Sequence, residues 1–383
     1  MRNWLLPEYI EDILPPEALR IEHLRRRLLD LFHGHGYQLV MPPLLEYMQS
    51  LLTGTGHDME LHTFQVVDQL SGRLMGLRAD ITPQVARIDA HLLNREGLTR
   101  LCYAGSVLHT LPSGYTGTRE PLQIGAEMYG HSGIESDVEI QQLMLKSLDL
   151  AGVKNVHLDL GHVAIFRSLV KHGNVSSEQE SALFRALQSK DVPTIREVTA
   201  ELGVETRNAM LLLPELYGGM EVLEKARRQL PDYPEIIQAL NDLNTVAGQL
   251  QGMVEPCFDL AELRGYHYHS GVVFAVYSKG WANAIALGGR YDEVGKAFGR
   301  ARPATGFSMD LRQIAGLTSA APLAAGILAP YVHDEALQDK INVLRAQGEV
   351  VVADLPGHEK NRAELNCDRE LVLLQGVWEI EKV

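Results

Sequence analysis

The 383-residue chain has no uninterrupted apolar run of the roughly 18 residues that a membrane-spanning helix requires. Its opening stretch, MRNWLLPEYIEDILPPE, carries acids and prolines where a secretory signal needs a basic and then an apolar segment. A cytoplasmic protein with no membrane partner is expected. Cysteine is scarce: Cys102, Cys257 and Cys367 are scattered without disulfide or metal-ligand spacing and read as small buried hydrophobes in a reducing compartment. His33/His35 and His267/His269 lack further ligands at helical or knuckle spacing, so no metal is expected. Positive charge is short as well. With 35 Lys+Arg against 49 Asp+Glu the net charge is −14, which disfavours a nucleic-acid partner, since binding one leans on neutralising many phosphates.

What is present is ordinary globular chemistry, 45% apolar and 22% charged, over a length sufficient for two or three domains. The chain is organised around residues 101–130, where two β-prone runs, 101–108 and 121–129, flank a Gly/Ser/Thr-rich stretch in the manner of a long-looped hairpin. On the second run Gln123 and Glu127 point to one face by strand alternation. Two readings fit them: a small-ligand pocket, or a half-exposed sheet facing water.

Around this hairpin, Pro15-Pro16 opens a helix with Ala18, Ile21, Leu24, Leu28 and Leu31 on one stripe, and His33–Gly36 closes it. Tyr37–Met41 reads as a short strand stopped by Pro42-Pro43. Residues 62–68 and 72–78 form a second hairpin running into Asp80-Ile81-Thr82-Pro83, where Asp80 or Thr82 caps a helix begun by Pro83, or serves a ligand. Helix, strand and helix follow at 135–150, 156–160 and 163–172. From 174 to 253 Leu, Ala, Glu, Gln and Arg dominate and β-branched runs vanish, which predicts an all-helical insertion. Strands return at 257–260, 272–277 and 284–287, and residues 305–317 close the core. The expected architecture is an antiparallel α+β domain at 1–173 and 254–318, the insertion at 174–253, and a linker plus small α/β unit at 319–383. That last unit has no Gly-rich phosphate loop, so no dinucleotide cofactor is expected.

Four segments, in order, resemble the class II histidyl-tRNA synthetases: the central hairpin as their second motif, LRADIT (77–82) as LRPEGT, RGYHYHSG (264–271) as RGLDYYTG, and GGRYD (288–292) unchanged. The resemblance implies a class II aminoacyl-tRNA synthetase-like antiparallel sheet flanked by helices. It also implies a histidine site at Asp80, Thr82, Gln123, Glu127, Arg264, Tyr268 and Tyr291, with carboxylates for the amino group and ring and a cation for the carboxylate. The alternative role of Arg264 is a structural ion pair. Asp80 is one methylene shorter than the family's glutamate, and His269 replaces its second tyrosine.

The departures from that family are equally specific. His109 and Leu111 stand where the second motif keeps arginine and glutamate, Gln313 stands where the third motif ends in arginine, and Asp310 occupies a glycine position. Losing one preset cation around developing phosphate charge costs on the order of 10²–10³ in rate, and both are gone. The tail is also short, roughly 60 residues where an anticodon-binding domain needs about 100.

This combination resembles the ATP phosphoribosyltransferase regulatory subunits, synthetase paralogues of bacteria that carry a short-form catalytic subunit. The resemblance implies a non-catalytic protein that dimerises, joins that catalytic subunit in a hetero-octamer for the first step of histidine biosynthesis, and lets bound histidine inhibit it. Closure of the loops at 54–62 and 110–118 is the expected signal. The competing expectations are an active histidyl-tRNA synthetase or adenylating relative, and a stand-alone histidine sensor.

Overall fold

The computed structural model describes residues 4–53, 57–112, 117–318, 325–357 and 359–383. It divides into two compact units, Met1–Thr318 and Ser319–Val383. The expected linker lies at 319–326, of which 319–324 fall outside the described residues.

The larger unit is built on a nine-stranded sheet in the spatial order Gln38–Leu39, Thr99–Ser106, Leu122–Tyr129, Ala304–Asp310, Ala286–Arg290, Val272–Ser278, Val156–His162, Pro256–Asp259 and Tyr217–Gly218. The two hairpin strands pair antiparallel over their full length, with Leu101 opposite Glu127 and Tyr103 opposite Gly125. Parallel pairing is confined to Gln38–Leu39 with 101–102 and to 158–160 with 256–258. Alternation gives the sheet two different faces. Ile124, Ala126, Met128, Leu158, Leu160 and Phe258 turn to the helical layer and its main apolar core. The odd-numbered positions of these strands face the other way.

The first helix, Pro15–Gly34, buries Ile21, Leu24, Leu28 and Phe32 at helical spacing against this layer, roughly 1.5–3 kcal/mol for each fully buried side chain. It stops where Gly36 adopts φ +83°, a conformation glycine tolerates without strain. The strand expected over Tyr37–Met41 shrinks to Gln38–Leu39, because Pro42 and Pro43 cannot extend the ladder. The second hairpin, Phe64–Val67 with Leu74–Leu77, gains an unforeseen third strand, Leu45–Tyr47.

The insertion is not wholly helical. Five helices, Ser177–Gln188, Val192–Val198, Val204–Leu212, Glu221–Gln229 and Pro234–Gln249, surround a two-residue strand, Tyr217–Gly218, that pairs with Phe258 and Asp259 at the sheet edge. Two residues carry no periodicity, so the pairing is invisible in sequence. Leu183, Ile195, Leu240 and Leu243 also share one continuous core with the sheet, so the insertion thickens the helical layer.

The smaller unit has four strands in the order Val351–Asp354, Gly326–Pro330, Cys367–Leu374 and Val377–Lys382, covered by the helix Glu335–Ala346. The strand expected at 371–374 begins earlier and turns back through Gln375-Gly376, both with positive φ, into a final strand that was not foreseen.

Candidate functional site

Glu127 sits mid-strand on the sheet face opposite the helices and is 1% exposed. The neighbouring strand places Gly306 beside it, and a Cβ built there would collide with Glu127 Oε2. Gly125 does the same for Tyr103, whose ring occupies the space a side chain at 125 would need. Two glycines therefore make the room that a carboxylate and a tyrosine fill.

The Tyr103 hydroxyl donates to Glu127 Oε1 at 3.0 Å, and the Tyr291 hydroxyl donates to Oε2. A 3.2 Å hydroxyl contact links Tyr291 to Tyr129. Tyr268 lays its ring 5.1 Å from that of Tyr291, and its buried hydroxyl has no hydrogen-bond partner among the described residues. At the mouth, Asp80 Oδ1 accepts from Gln123 Nε2 at 2.7 Å and from Thr82 N at 3.0 Å, and the Thr82 hydroxyl lies 3.1 Å from that of Tyr103. Gln123 Oε1 accepts from Ile81 N at 2.9 Å. Neither Asp80 nor Thr82 occupies the residue flanking helix Thr82–Arg87, which is Ile81; Asp80 instead braces the turn just before it.

Six of the seven expected residues thus converge. Arg264 does not join them: its guanidinium donates to the Tyr277 hydroxyl at 3.0 Å and lies 3.4 Å from Glu262, half exposed, so its contacts are those of a structural ion pair. Tyr103 and Tyr129 were missed. Tyr129 was legible as the next residue on the Glu127 face, whereas Tyr103 becomes visible only through strand register.

Burial dominates the electrostatics. It pushes the Glu127 carboxyl up to about 8, with Asp80 adding repulsion and the tyrosine and Thr82 hydroxyls pulling the other way. His269, tucked under Gly289 and Gly265, is driven down to about 4 by burial and hydrogen-bonds the Arg290 carbonyl through Nδ1 at 3.2 Å, so its ring is neutral. The wall facing a ligand is carboxylate, amide and phenol. Such a wall suits a donor-rich or cationic small molecule.

Of the positions that depart from the synthetase pattern, His109 and Asp310 have structural work. His109 Nε2 donates to the Ala79 carbonyl at 2.9 Å, and burial holds its ring below the usual histidine range. Leu111 is exposed. Asp310 starts the helix Leu311–Leu317 by accepting from Arg312 N at 3.0 Å, and ties in Leu122 N at 3.1 Å. Arg312, beside Gln313, pairs with Glu11 at 2.8 Å and donates to the Glu120 carbonyl. The arginine of GGRYD, Arg290, is buried against Asp137, Ser136 and the Gly133 carbonyl, which makes it a strut.

Residues 9–314 match the family model described as Histidyl-tRNA synthetase, and residues 324–381 match that of the ATP phosphoribosyltransferase subunit HisZ C-terminal domain. A Nitrosospira multiformis protein named ATP phosphoribosyltransferase regulatory subunit is 61% identical over 386 residues, covering 99% of this chain and 98% of its own. The chain belongs to the ATP phosphoribosyltransferase regulatory subunit family. A second member, from Methylobacillus flagellatus, is 58% identical over 99% of this chain and 98% of its own length.

Solved structures share the family's fold. A Bacillus halodurans protein described as an ATP phosphoribosyltransferase regulatory subunit/histidyl-tRNA synthetase superposes with a TM-score of 0.82 at 24% identity, covering 94% of this chain and 96% of its own. Histidyl-tRNA synthetase from a Nostoc species gives 0.78 at 18% identity, covering 97% and 92%. The class II synthetase-like sheet expected from the motifs is therefore the observed one.

Proposed function

We propose that this regulatory subunit binds free histidine on the face built from Asp80, Thr82, Gln123, Glu127, Tyr268 and Tyr291, and that occupancy sets the activity of a short-form ATP phosphoribosyltransferase catalytic subunit. The reading places the protein in the cytoplasm, in a hetero-octamer at the first step of histidine biosynthesis. One observation carries it: a buried carboxylate held between tyrosine hydroxyls, with a further buried hydroxyl on Tyr268 left unpaired beside it. An unpaired buried hydroxyl costs about 1–3 kcal/mol, and a ligand imidazole or ammonium would recover it. Glu127 and Asp80 supply the acceptors such a ligand needs.

Inhibition requires that histidine bind one state of the assembly better than the other, and the affinity difference limits the effect on the partner. The loops expected to move, at 54–62 and 110–118, fall partly outside the described residues, at 54–56 and 113–116. The described flanks tie one to the other, since Thr110 N donates to the His62 carbonyl at 3.1 Å. Dimerisation is supported by apolar side chains exposed around the first strand, Leu39 at 50% and Met41 at 83%.

The competing synthetase reading lacks its cations. His109 has already committed its ring donor to Ala79, and Gln313 brings no charge. The test is phosphoribosyl-ATP formation by the short catalytic subunit, alone and with this chain, with and without histidine. Activation on mixing and histidine inhibition that Glu127→Gln relieves support the proposal. Histidine binding without co-purification of the catalytic subunit would leave a stand-alone sensor instead.

A further inference from the structure

The sequence spacing of the cysteines argues against a metal, but the sheet assembles donors that lie far apart in the chain. His157 and Asp159 alternate onto one face of Val156–His162, and the parallel strand Pro256–Asp259 sets Cys257 directly opposite Asp159. Their neighbours Leu158, Leu160 and Phe258 point into the helical core, so the three polar residues share the opposite face. Strand register connects that face to Glu127 through Gly306, Gly289, Val273 and Gly161. Four strand spacings, about 19 Å, separate the Glu127 strand from that of His157 and Asp159, and Cys257 lies one strand further.

An imidazole nitrogen of His157, a carboxylate oxygen of Asp159 and Cys257 Sγ all lie within 4.8 Å of one another. The imidazole nitrogen approaches Asp159 Oδ1 to 2.8 Å, yet that oxygen is buried and makes no aligned hydrogen bond. The imidazole and the carboxylate thus meet as an ion pair beside the Cys257 sulfur, and a cation entering between the three would take over that contact. The neighbouring Asp259 is already taken, Oδ2 by Lys190 at 2.8 Å and Oδ1 by the Ala261 N–H at 3.0 Å, which leaves His157, Asp159 and Cys257, the last in contact with the Tyr217 hydroxyl that an ion would displace. Bonds of about 2.0–2.3 Å put tetrahedral ligand atoms roughly 3.3–3.8 Å apart, within a side-chain rotation of the observed spacing.

We propose that His157, Asp159 and Cys257 form a binding site for a zinc-class divalent ion. One imidazole, one carboxylate and one thiolate favour zinc or cobalt over the hard, oxygen-seeking ions. Binding forms a metal–sulfur bond and releases the Cys257 thiol proton to solvent. The ion joins Val156–His162 to Pro256–Asp259, the strand that pairs with Tyr217–Gly218 of the insertion and leads into the segment carrying Arg264 and Tyr268. Its occupancy therefore anchors the insertion edge and the start of that segment to the sheet.

The probe is Co²⁺, titrated into untagged full-length protein under reducing conditions without free histidine. The expected result is one equivalent bound with a thiolate-to-cobalt charge-transfer band, bleached by Zn²⁺. The band should be lost in Cys257→Ser and retained in a Cys102→Ser/Cys367→Ser variant. His157→Ala, at a half-exposed side chain, should fold normally and bind at least about tenfold more weakly, deciding the matter if Cys257→Ser misfolds. Cobalt bound without the thiolate band, a band that survives Cys257→Ser, or unchanged affinity in His157→Ala would overturn the proposal.

Discussion

Replacing Glu127 with Gln removes the charge from a site walled by Tyr103, Tyr129 and Tyr291 while keeping its shape. With burial holding the carboxyl near 8, about one molecule in ten carries the ionised form at pH 7. A histidine ammonium or imidazole donor seated against it stabilises the ionised form, so binding must expel a proton. The expected release is about 0.9 proton per histidine at pH 7 and about half a proton at pH 8. Leaving a buried cation without its counter-charge costs about 3–5 kcal/mol, against which the wild type spends about 1.4 ionising Glu127 at pH 7. The net, about 1.6–3.6 kcal/mol, corresponds to a loss of affinity of roughly 15- to 450-fold. Calorimetric titration in buffers of different ionisation enthalpy, from pH 7 upward so that the ligand ring stays neutral, measures both quantities. Equal proton release from wild type and Glu127→Gln, or equal affinity, would refute the placement of histidine on this carboxylate.

The same carboxyl makes stability pH-dependent. Its folded value lies above its ordinary 4.5, so its contribution is fully present below about 4.5 and is lost as pH rises toward 8; urea melts of the wild type should weaken across that window relative to Glu127→Gln. Gly306→Ala forces Glu127 out of place and should abolish histidine-induced thermal stabilisation while leaving co-purification with the catalytic subunit intact; wild-type histidine binding in this variant would contradict the packing argument. Arg264→Ala removes half-exposed contacts to Glu262 and Tyr277, worth under about 1 kcal/mol, and should weaken histidine less than about fivefold; a tenfold or greater loss would return Arg264 to the pocket.

Much of this molecule is local enough to read directly. The Ile21/Leu24/Leu28 stripe, the alternation of Gln123 and Glu127, the helix at 163–172 and the four ordered motifs are properties of short segments, and the exchanges at 109, 111 and 313 are written in single positions. They sufficed for the synthetase-like sheet and for the missing phosphate cations. What the chain alone could not decide depends on which strands lie side by side. Tyr103 reaches Glu127 only because the hairpin register sets it beside Gly125, and Gly306 matters only because its strand lies next to 122–129. Arg264 sits in the motif that suggested a pocket, yet its side chain turns to Tyr277 thirteen residues later. His157, Asp159 and Cys257 meet across a parallel ladder that no spacing rule anticipates. Short-range periodicity encodes which face of an element is buried; register and strand order, set by the packing of the whole sheet, decide which of those faces meet.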